Sequence, residues 1–447
     1  MAINFDILKN AVRDAAAKLG VEEYEIYYSE NKGMGVEIYQ HEIKEFSSSV
    51  GSGMNFRCIW NGKMGYSSTQ LMEAEEMEEL IKRAVENAEI SEKDEKAIIF
   101  PGGATYREVE KHAFEMPSAA FMKKFALECQ DVLYAADSMI ADGTESGTHA
   151  GEHTIRLFNS KGLDLEASAG NSGVYMYSVL DDGNEKQSGH EGDHNCFDTL
   201  DKTELAKKAV DKAKAKFGAK LVKTDKYNIV FDHKQVQSIM GTFLSVFFAE
   251  NVQKGLSLLK DKVGETIASD KLTIIDTPFH EGNTMQMPFD GEGVPTYEKT
   301  VVENGVLKTL LYNLGSAEKD GVESTGNASR SGASIGTRVF SFYIKPGELT
   351  QEQLFEKAGD GLYVTELKGL HAGANSVTGD FSIESAGFRI TDGKKGEPIK
   401  SFTVAGNFFT LLKEIAEIGS EFEVGGPGYT KIICPDILVN GMSVAGE

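Results

Sequence analysis

Residues 24–69 alternate apolar and polar side chains over two long runs, "YEIYYSE" and "GVEIYQHEIKEFSSSVGSGMNFRCIWNGKMGYSST". A period of two sends successive side chains to opposite faces, so these runs specify strands rather than helices. Gly33, Gly51, Gly53 and Asn61-Gly62 punctuate the runs as turn residues do, which predicts antiparallel strands with short connections. The signature returns over "IRLFNSKGLDLEASAGNSGVYMYSVLDDG", with turns expected at 159–162 and 181–183. In "VVENGVLKTLLY" the Asn304-Gly305 pair between alternating flanks is the clearest hairpin signal of the chain.

Helices are expected between these strand blocks. Phe5, Leu8, Val12 and Leu19 recur at helical spacing, and so do Leu71, Met77, Leu80, Ile81 and Val85. Pro117 and Ser118 open a third helix reaching about Ala136, and "LDKTELAKKAVDKAKAKFG" is a fourth that closes at Gly218. The lysine-rich "KLVKTDKYN" reads as a linker, with a boundary near 219–226. Beyond it come a strand ("NIVFD"), a helix over roughly 233–250, a long series of strands, and helices near 350–358 and 407–418. The order of elements predicts an α+β fold in two domains, mostly antiparallel sheets with flanking helices. Residues 1–220 form an N-terminal α+β domain and residues 221–447 a β-rich α+β domain.

Charge and cysteine usage narrow the function. The 447 residues carry a formal net charge of -23, which repels nucleic-acid phosphates and anionic membranes alike. Direct nucleic-acid or membrane binding is therefore not expected. The start has no basic region followed by a long apolar run, and the densest apolar run, "FLSVFFA" at 243–249, is too short to span a bilayer. Cys58, Cys129, Cys196 and Cys434 are scattered with no C-x-x-C pair, which favours reduced thiols and a cytoplasmic location.

One string looks catalytic. "SGHEGDHNC" contains His190-Glu191-x-x-His194, the H-E-x-x-H of zinc peptidases. That chemistry needs a helix, in which residues four apart lie about 6 Å apart on one face and both imidazoles reach one ion. In a strand the same residues are roughly 13 Å apart. Gly183, Gly189 and Gly192 surround the string and no apolar stripe offsets their helix cost of about 1 kcal/mol each, so a loop or polar strand is expected. His149-x-x-Glu152-His153 resembles the inverted motif and meets the same objection. The two histidine pairs could still come together across neighbouring strands. No phosphate-binding glycine loop and no G-x-S-x-G elbow are present.

The C-terminal half carries an ordered set of islands: "FDGEGVPT", "VVENGVLKTLLYNLGSAEKDG", "STGNASR", "GLYVTELKGLHAGANSVTGDFSIESAGFRI", "VAGNFFTLLKEIAEIG" and "LVNGMSVAG". Together with "FNSKGLDLEASAG" in the N-terminal half, they resemble the TldD/PmbA family, also called the modulator of DNA gyrase family. The resemblance implies a dimeric two-domain protein. In that family a zinc-bearing subunit pairs with a related subunit without zinc, and together they cleave unfolded or leader-type peptides. The zinc subunit carries H-E-x-x-x-H on the first helix of its C-terminal domain and a cysteine ligand near the chain's end. Here the corresponding helix, "DHKQVQSIMGTFLSVFFAENVQKG", has Glu250 but no histidine after His233, and "GSEFEVGGPGYTKIICPD" has glycines where the cysteine is expected. The resemblance is therefore to the PmbA (TldE-like) subunit, with no metal, no cofactor and no catalytic residue of its own.

The family islands also supply candidate substrate contacts. Asp290 and Glu292 lie in a Gly/Pro-rich loop with Thr296. Thr325, Asn327 and Arg330 fall in a loop expected to be exposed, where Arg330 could clamp a peptide carboxylate or carbonyl. Asn375, Thr378 and Asp380, with Ser382, mark a turn entering a strand. Each could equally shape a turn, and Arg330 could pair with an acid of the chain. The expected partners are a zinc-bearing TldD-like subunit or a second copy of this chain, and a peptide added along a sheet edge. Two other functions remain at this stage. One is an autonomous zinc peptidase using His190, Glu191 and His194. The other is a non-enzymatic protein that modulates DNA gyrase through protein contacts.

Overall fold

A computed structural model describes residues 5–91, 97–109, 114–332, 334–424 and 428–447. The fold is α+β. Six strands, β1 (Glu23–Tyr39), β2 (Glu42–Trp60), β3 (Lys63–Thr69), β4 (Glu145–Asn159), β5 (Asp164–Asp181) and β6 (Lys186–His194), build one antiparallel sheet. Their order is β3-β2-β1-β4-β5-β6. Asn61-Gly62 makes the β2–β3 turn, with both residues at positive φ. Gly33, Gly51 and Gly53 are not turns. They stay within β1 and β2, paired with Ser49, Asn31 and Ser29, because the hairpin runs on past them to Gln40-His41.

Among the described residues of this half, four helices, α1 (Phe5–Leu19), α2 (Glu76–Ile90), α3 (Ala119–Ala135) and α4 (Lys202–Lys214), cover one face of that sheet. Phe5, Leu8 and Val12 of α1 pack on Tyr24, Ile26 and Tyr28 of β1, the face that alternation assigns to the core. The helices start where capping chemistry allows. Ser118 accepts from the Phe121 N–H, and Asp201 accepts from the N–H groups of Thr203 and Glu204. Gly65 and Gly189 let α2 and α4 approach the sheet closely. A Cβ on Gly65 would fall 2.1 Å from the Ala84 carbonyl oxygen, and one on Gly189 2.0 Å from that of Ala209.

The C-terminal half begins with β7 (Asp225–Phe231), α5 (His233–Phe243) and the short α6 (Ala249–Gln253). Then come β8 (Ile274–Thr277), β9 (Lys299–Glu303), β10 (Val306–Leu307), α7 (Leu314–Asp320), β11 (Ala328–Ser331), β12 (Ser334–Thr337) and β13 (Ser341–Ile344). The chain closes with α8 (Gln351–Ala358), β14 (Gly361–Lys368), α9 (Leu370–Gly373), β15 (Asp380–Thr391), β16 (Lys394–Asn407), α10 (Phe408–Lys413), β17 (Ile415–Phe422), β18 (Lys431–Ile433) and β19 (Pro435–Ala445). One sheet runs β16-β15-β14-β7-β19-β17, and an added β16–β19 pairing closes five of its strands into a barrel. A second sheet runs β10-β9-β8-β13-β18. The β9–β10 turn is Asn304-Gly305 at φ 46° and 79°, the positive pair that a two-residue hairpin loop needs.

Phe231, Phe243, Phe247, Phe402 and Phe408 lie inside the largest core, each at most 1% exposed. Burying a side chain of this kind contributes about 1.5–3 kcal/mol, so this aromatic set anchors α5 to the barrel. The helix expected over 233–250 is interrupted. After Phe243 the backbone tightens into a 3₁₀ turn at Leu244–Phe247, and α6 restarts at Ala249. Val246 and Phe247 are both buried, so the apolar run "FLSVFFA" is met by core on more than one side, which a continuous amphipathic helix would not achieve. Among the described residues no helix is long and apolar enough to cross a membrane.

Candidate functional site

The H-E-x-x-H string forms β6, and the pleat takes it apart. Glu191 points to the helical face, 7% exposed, where it pairs with Lys212 of α4 and, at 3.2 Å, with Lys234 of α5. His190 points to the other face, beside Tyr175. His194 does meet a second histidine, although not on an adjacent strand. The register sets His149, Gly173 and His194 side by side on β4, β5 and β6, and the two rings close to 5.7 Å across the glycine. Burial lowers the pKa of His149, His190 and His194, so all three are neutral imidazoles at neutral pH.

Helix α5 occupies the position where the resemblance places the family's zinc motif. From Lys234 to Phe243 it offers no imidazole, thiolate or carboxylate, and Val236, Ile239, Met240 and Phe243 are spent on the core. Over that stretch the helix supplies no zinc ligand. The glycines at 425–426, where a cysteine ligand was expected, lie outside the described residues. At the helix start, His233 is surrounded by acids. Its Nδ1 lies 3.2 Å from Asp436 and 3.6 Å from Asp232, and its Nε2 3.5 Å from Glu423. Asp232, His233 and Asp436 are the one group among the described residues with ligand atoms close enough for a shared ion. The imidazole itself supplies the positive charge. Although burial opposes the charged form, the hydrogen bond to Asp436 and the nearby carboxylates of Glu423 and Asp232 outweigh it and raise the His233 pKa to about 10. His233 and Lys234 together lower Glu423 to about 2 against its burial.

The expected exposed loop at 324–330 is buried, because it runs between the two halves of the molecule. Asn327 is 0% exposed and joins Asp276 (2.7 Å), Lys299 (3.0 Å) and the Arg338 carbonyl (2.8 Å). Thr325 exchanges hydrogen bonds with the backbone of Tyr312. Asp290 accepts from the N–H groups of Glu292, Val294 and Ala328, which fastens its loop to β11. Burial and the Glu292 carboxylate raise the Asp290 pKa against those three donors. Glu292 accepts from the Leu314 N–H at 2.9 Å and faces Arg57 at 3.4 Å. Arg330, its side chain 1% exposed, pairs with Glu25 and donates from Nε to the Gly291 carbonyl. Thus Glu292 and Arg330 tie the C-terminal half to β1 and β2, while Asp290, Thr325 and Asn327 are buried in hydrogen bonds within that half. Asn375, Thr378 and Asp380 are exposed instead. They make a turn held by Asn375 and Asn407, beside a groove of about 610 Å³.

Beside the buried network is a cavity of about 300 Å³. Tyr27, Ser29 and Asn31 of β1, Asn55 of β2 and His153 of β4 form its N-terminal wall, and Phe289, Arg330 and Arg338 face them. Arg338 has no carboxylate partner among the described residues. Its Nη2 donates to the Thr430 hydroxyl at 3.1 Å, its plane lies over Phe340 and Tyr429, and its Nε finds no acceptor. Sequence reasoning missed Glu25, Arg57 and Arg338. A signal existed for the first two: Glu25 shares a face with Tyr27, and Arg57 with Asn55, so each pair marks the non-helical face of its strand as wanted by something polar.

Comparison with known proteins agrees with the architecture. Residues 24–88, 113–217 and 224–446 match, in order, domain 1, the central domain and the C-terminal domain of the PmbA/TldA metallopeptidases. A metalloprotease of Methanothermobacter thermautotrophicus is 28% identical over 441 residues, 95% of this chain and 93% of its own. Metalloprotease PmbA of Escherichia coli O157:H7 is 30% identical over 224 residues, covering 50% of this chain and 47% of its own. Among solved structures, a modulator-of-DNA-gyrase protein of Thermotoga maritima superposes with a TM-score of 0.91 at 30% identity, over 99% of this chain and 100% of its own. TldE from Thermococcus kodakarensis gives 0.88 at 25% identity, over 98% and 100%. The resemblance carried by the C-terminal islands therefore extends through both halves, and the chain belongs to the PmbA/TldD metallopeptidase family.

Proposed function

We propose that this chain is the PmbA/TldE-like, zinc-free subunit of a two-subunit peptidase of its family. It holds unfolded or leader-type peptides and completes the active site of a zinc-bearing TldD-like partner in the cytoplasm, and it forms a homodimer when that partner is absent. The observation that carries this reading is α5, whose residues after His233 include no metal-binding side chain. The competing autonomous zinc site is disfavoured by β6, where His190 and Glu191 project from opposite faces of the sheet. The exposed turn at Asn375, Thr378 and Asp380 and the cavity at Arg330 are the surfaces offered to substrate.

The test is the metal content of the purified chain. Zinc well below one equivalent is expected, unchanged by His190→Ala or His194→Ala. One equivalent of zinc lost in either variant would overturn the reading.

A further inference from the structure

The hydrogen bonding around the 300 Å³ cavity does not close among the described residues. Glu25 is shared by Arg57 and Arg330, and Glu292 also faces Arg57. Asp276 spends one oxygen on the Phe340 N–H at 2.8 Å and the other on Lys299 and Asn327. Asp290 is committed to three backbone donors. None of these acids pairs with Arg338, and both Arg338 Nε and Arg330 Nη1 are buried without an acceptor. Arg338 is half-buried and feels Asp276 and Asp290 only at a distance, and a buried donor left without an acceptor carries its full desolvation penalty.

The rest of the wall is short of partners in the same way. The side chains of Ser29, Asn31 and Asn55 make no hydrogen bond to the described protein, so two amides and a hydroxyl line a space that two arginines border. Planar guanidinium forks match a carboxylate in geometry as well as in charge. The volume is at the low end for ligand sites, room for the end of a chain rather than for a strand passing through.

We propose that this cavity between the N-terminal sheet and the C-terminal half is a carboxylate subsite that takes the free C-terminus of a peptide, with Arg338 as its counter-ion and Arg330, Asn31 and Asn55 as further donors. It deepens the peptide-holding role proposed above and rests on it for the identity of the ligand. The carboxylate chemistry itself stands on the cavity alone.

Two arms of one experiment separate these layers, both on the full chain. In the first, N-acetylglycine and its amide are compared as ligands by thermal shift. The acid raises Tm and the amide does not, and Arg338→Gln removes the response. Arg338→Lys, which keeps the charge without the fork, retains part of it. Asn55→Ala weakens it as a gentler change, should the arginine variants fold poorly. In the second, a fluorescent unfolded peptide is titrated as free acid, as C-terminal amide, and as an amide with an internal aspartate. The free acid binds about tenfold more tightly than either amide, the margin of a charge-assisted bond. No shift with N-acetylglycine, or an equal shift with its amide, overturns the subsite whatever the peptides do. Equal binding of the internal-aspartate peptide overturns the assignment to a chain terminus. A positive first arm with no peptide binding leaves the subsite standing and refutes the peptide-holding reading.

Discussion

Glu25 on β1 and Arg57 on β2 are direct cross-strand neighbours, and the guanidinium donates from Nε (3.1 Å) and Nη2 (2.9 Å) to the same carboxylate oxygen. The pair is buried from both sides, with Arg330 reaching the same carboxylate from the C-terminal half. Removing the acid takes the carboxylate from two buried arginines and leaves only Glu292 facing Arg57. Glu25→Ala should cost about 3–5 kcal/mol, the penalty of breaking a buried ion pair. Urea unfolding followed by circular dichroism measures it, and a loss below about 1 kcal/mol, the value of a surface pair, would show that the network is not held as described.

Two glycines of the N-terminal sheet predict opposite outcomes. Gly189→Ala drives a methyl into the backbone of α4 and should cost about 1–3 kcal/mol through overpacking. Gly51→Ala meets nothing within 4 Å and has an ordinary φ. It should be neutral or gain about 0.4–1 kcal/mol by restricting the unfolded chain. Parallel denaturation curves of the two variants check the contrast.

His233 predicts a pH dependence. Its folded pKa of about 10 exceeds its ordinary 6.5, so the folded state holds the proton more tightly. The stabilisation is full below about pH 6.5 and disappears as pH rises through about 10. The stability advantage of the wild type over His233→Gln, measured by urea midpoints, should therefore shrink steadily across that window. An advantage that grows with pH would mean that the imidazole is not the cation among Asp232, Asp436 and Glu423.

Local pattern made much of the fold legible. Ser118 and Asp201 marked two helix starts, Asn304-Gly305 marked a hairpin, and the glycines around His190 correctly argued against a helix. What failed was whatever depends on a distant segment. "STGNASR" has the composition of an exposed loop, and only its position between the two halves buries Thr325 and Asn327. The break at Leu244–Phe247 follows from core on several sides, which no local window contains. His149 and His194 meet because Gly173 lies between them on a third strand, a fact of register rather than of spacing. The same limit hid the carboxylate subsite, whose wall residues come from four strands and the loops between them.

The most direct test of the central claim is cleavage of an unfolded peptide by three samples: this chain, a zinc-bearing relative, and the two purified together. The chain alone should be inactive, and the pair should cleave faster than the zinc-bearing subunit alone. Chelator-sensitive cleavage by the isolated chain, or a pair no faster than the relative by itself, would contradict it.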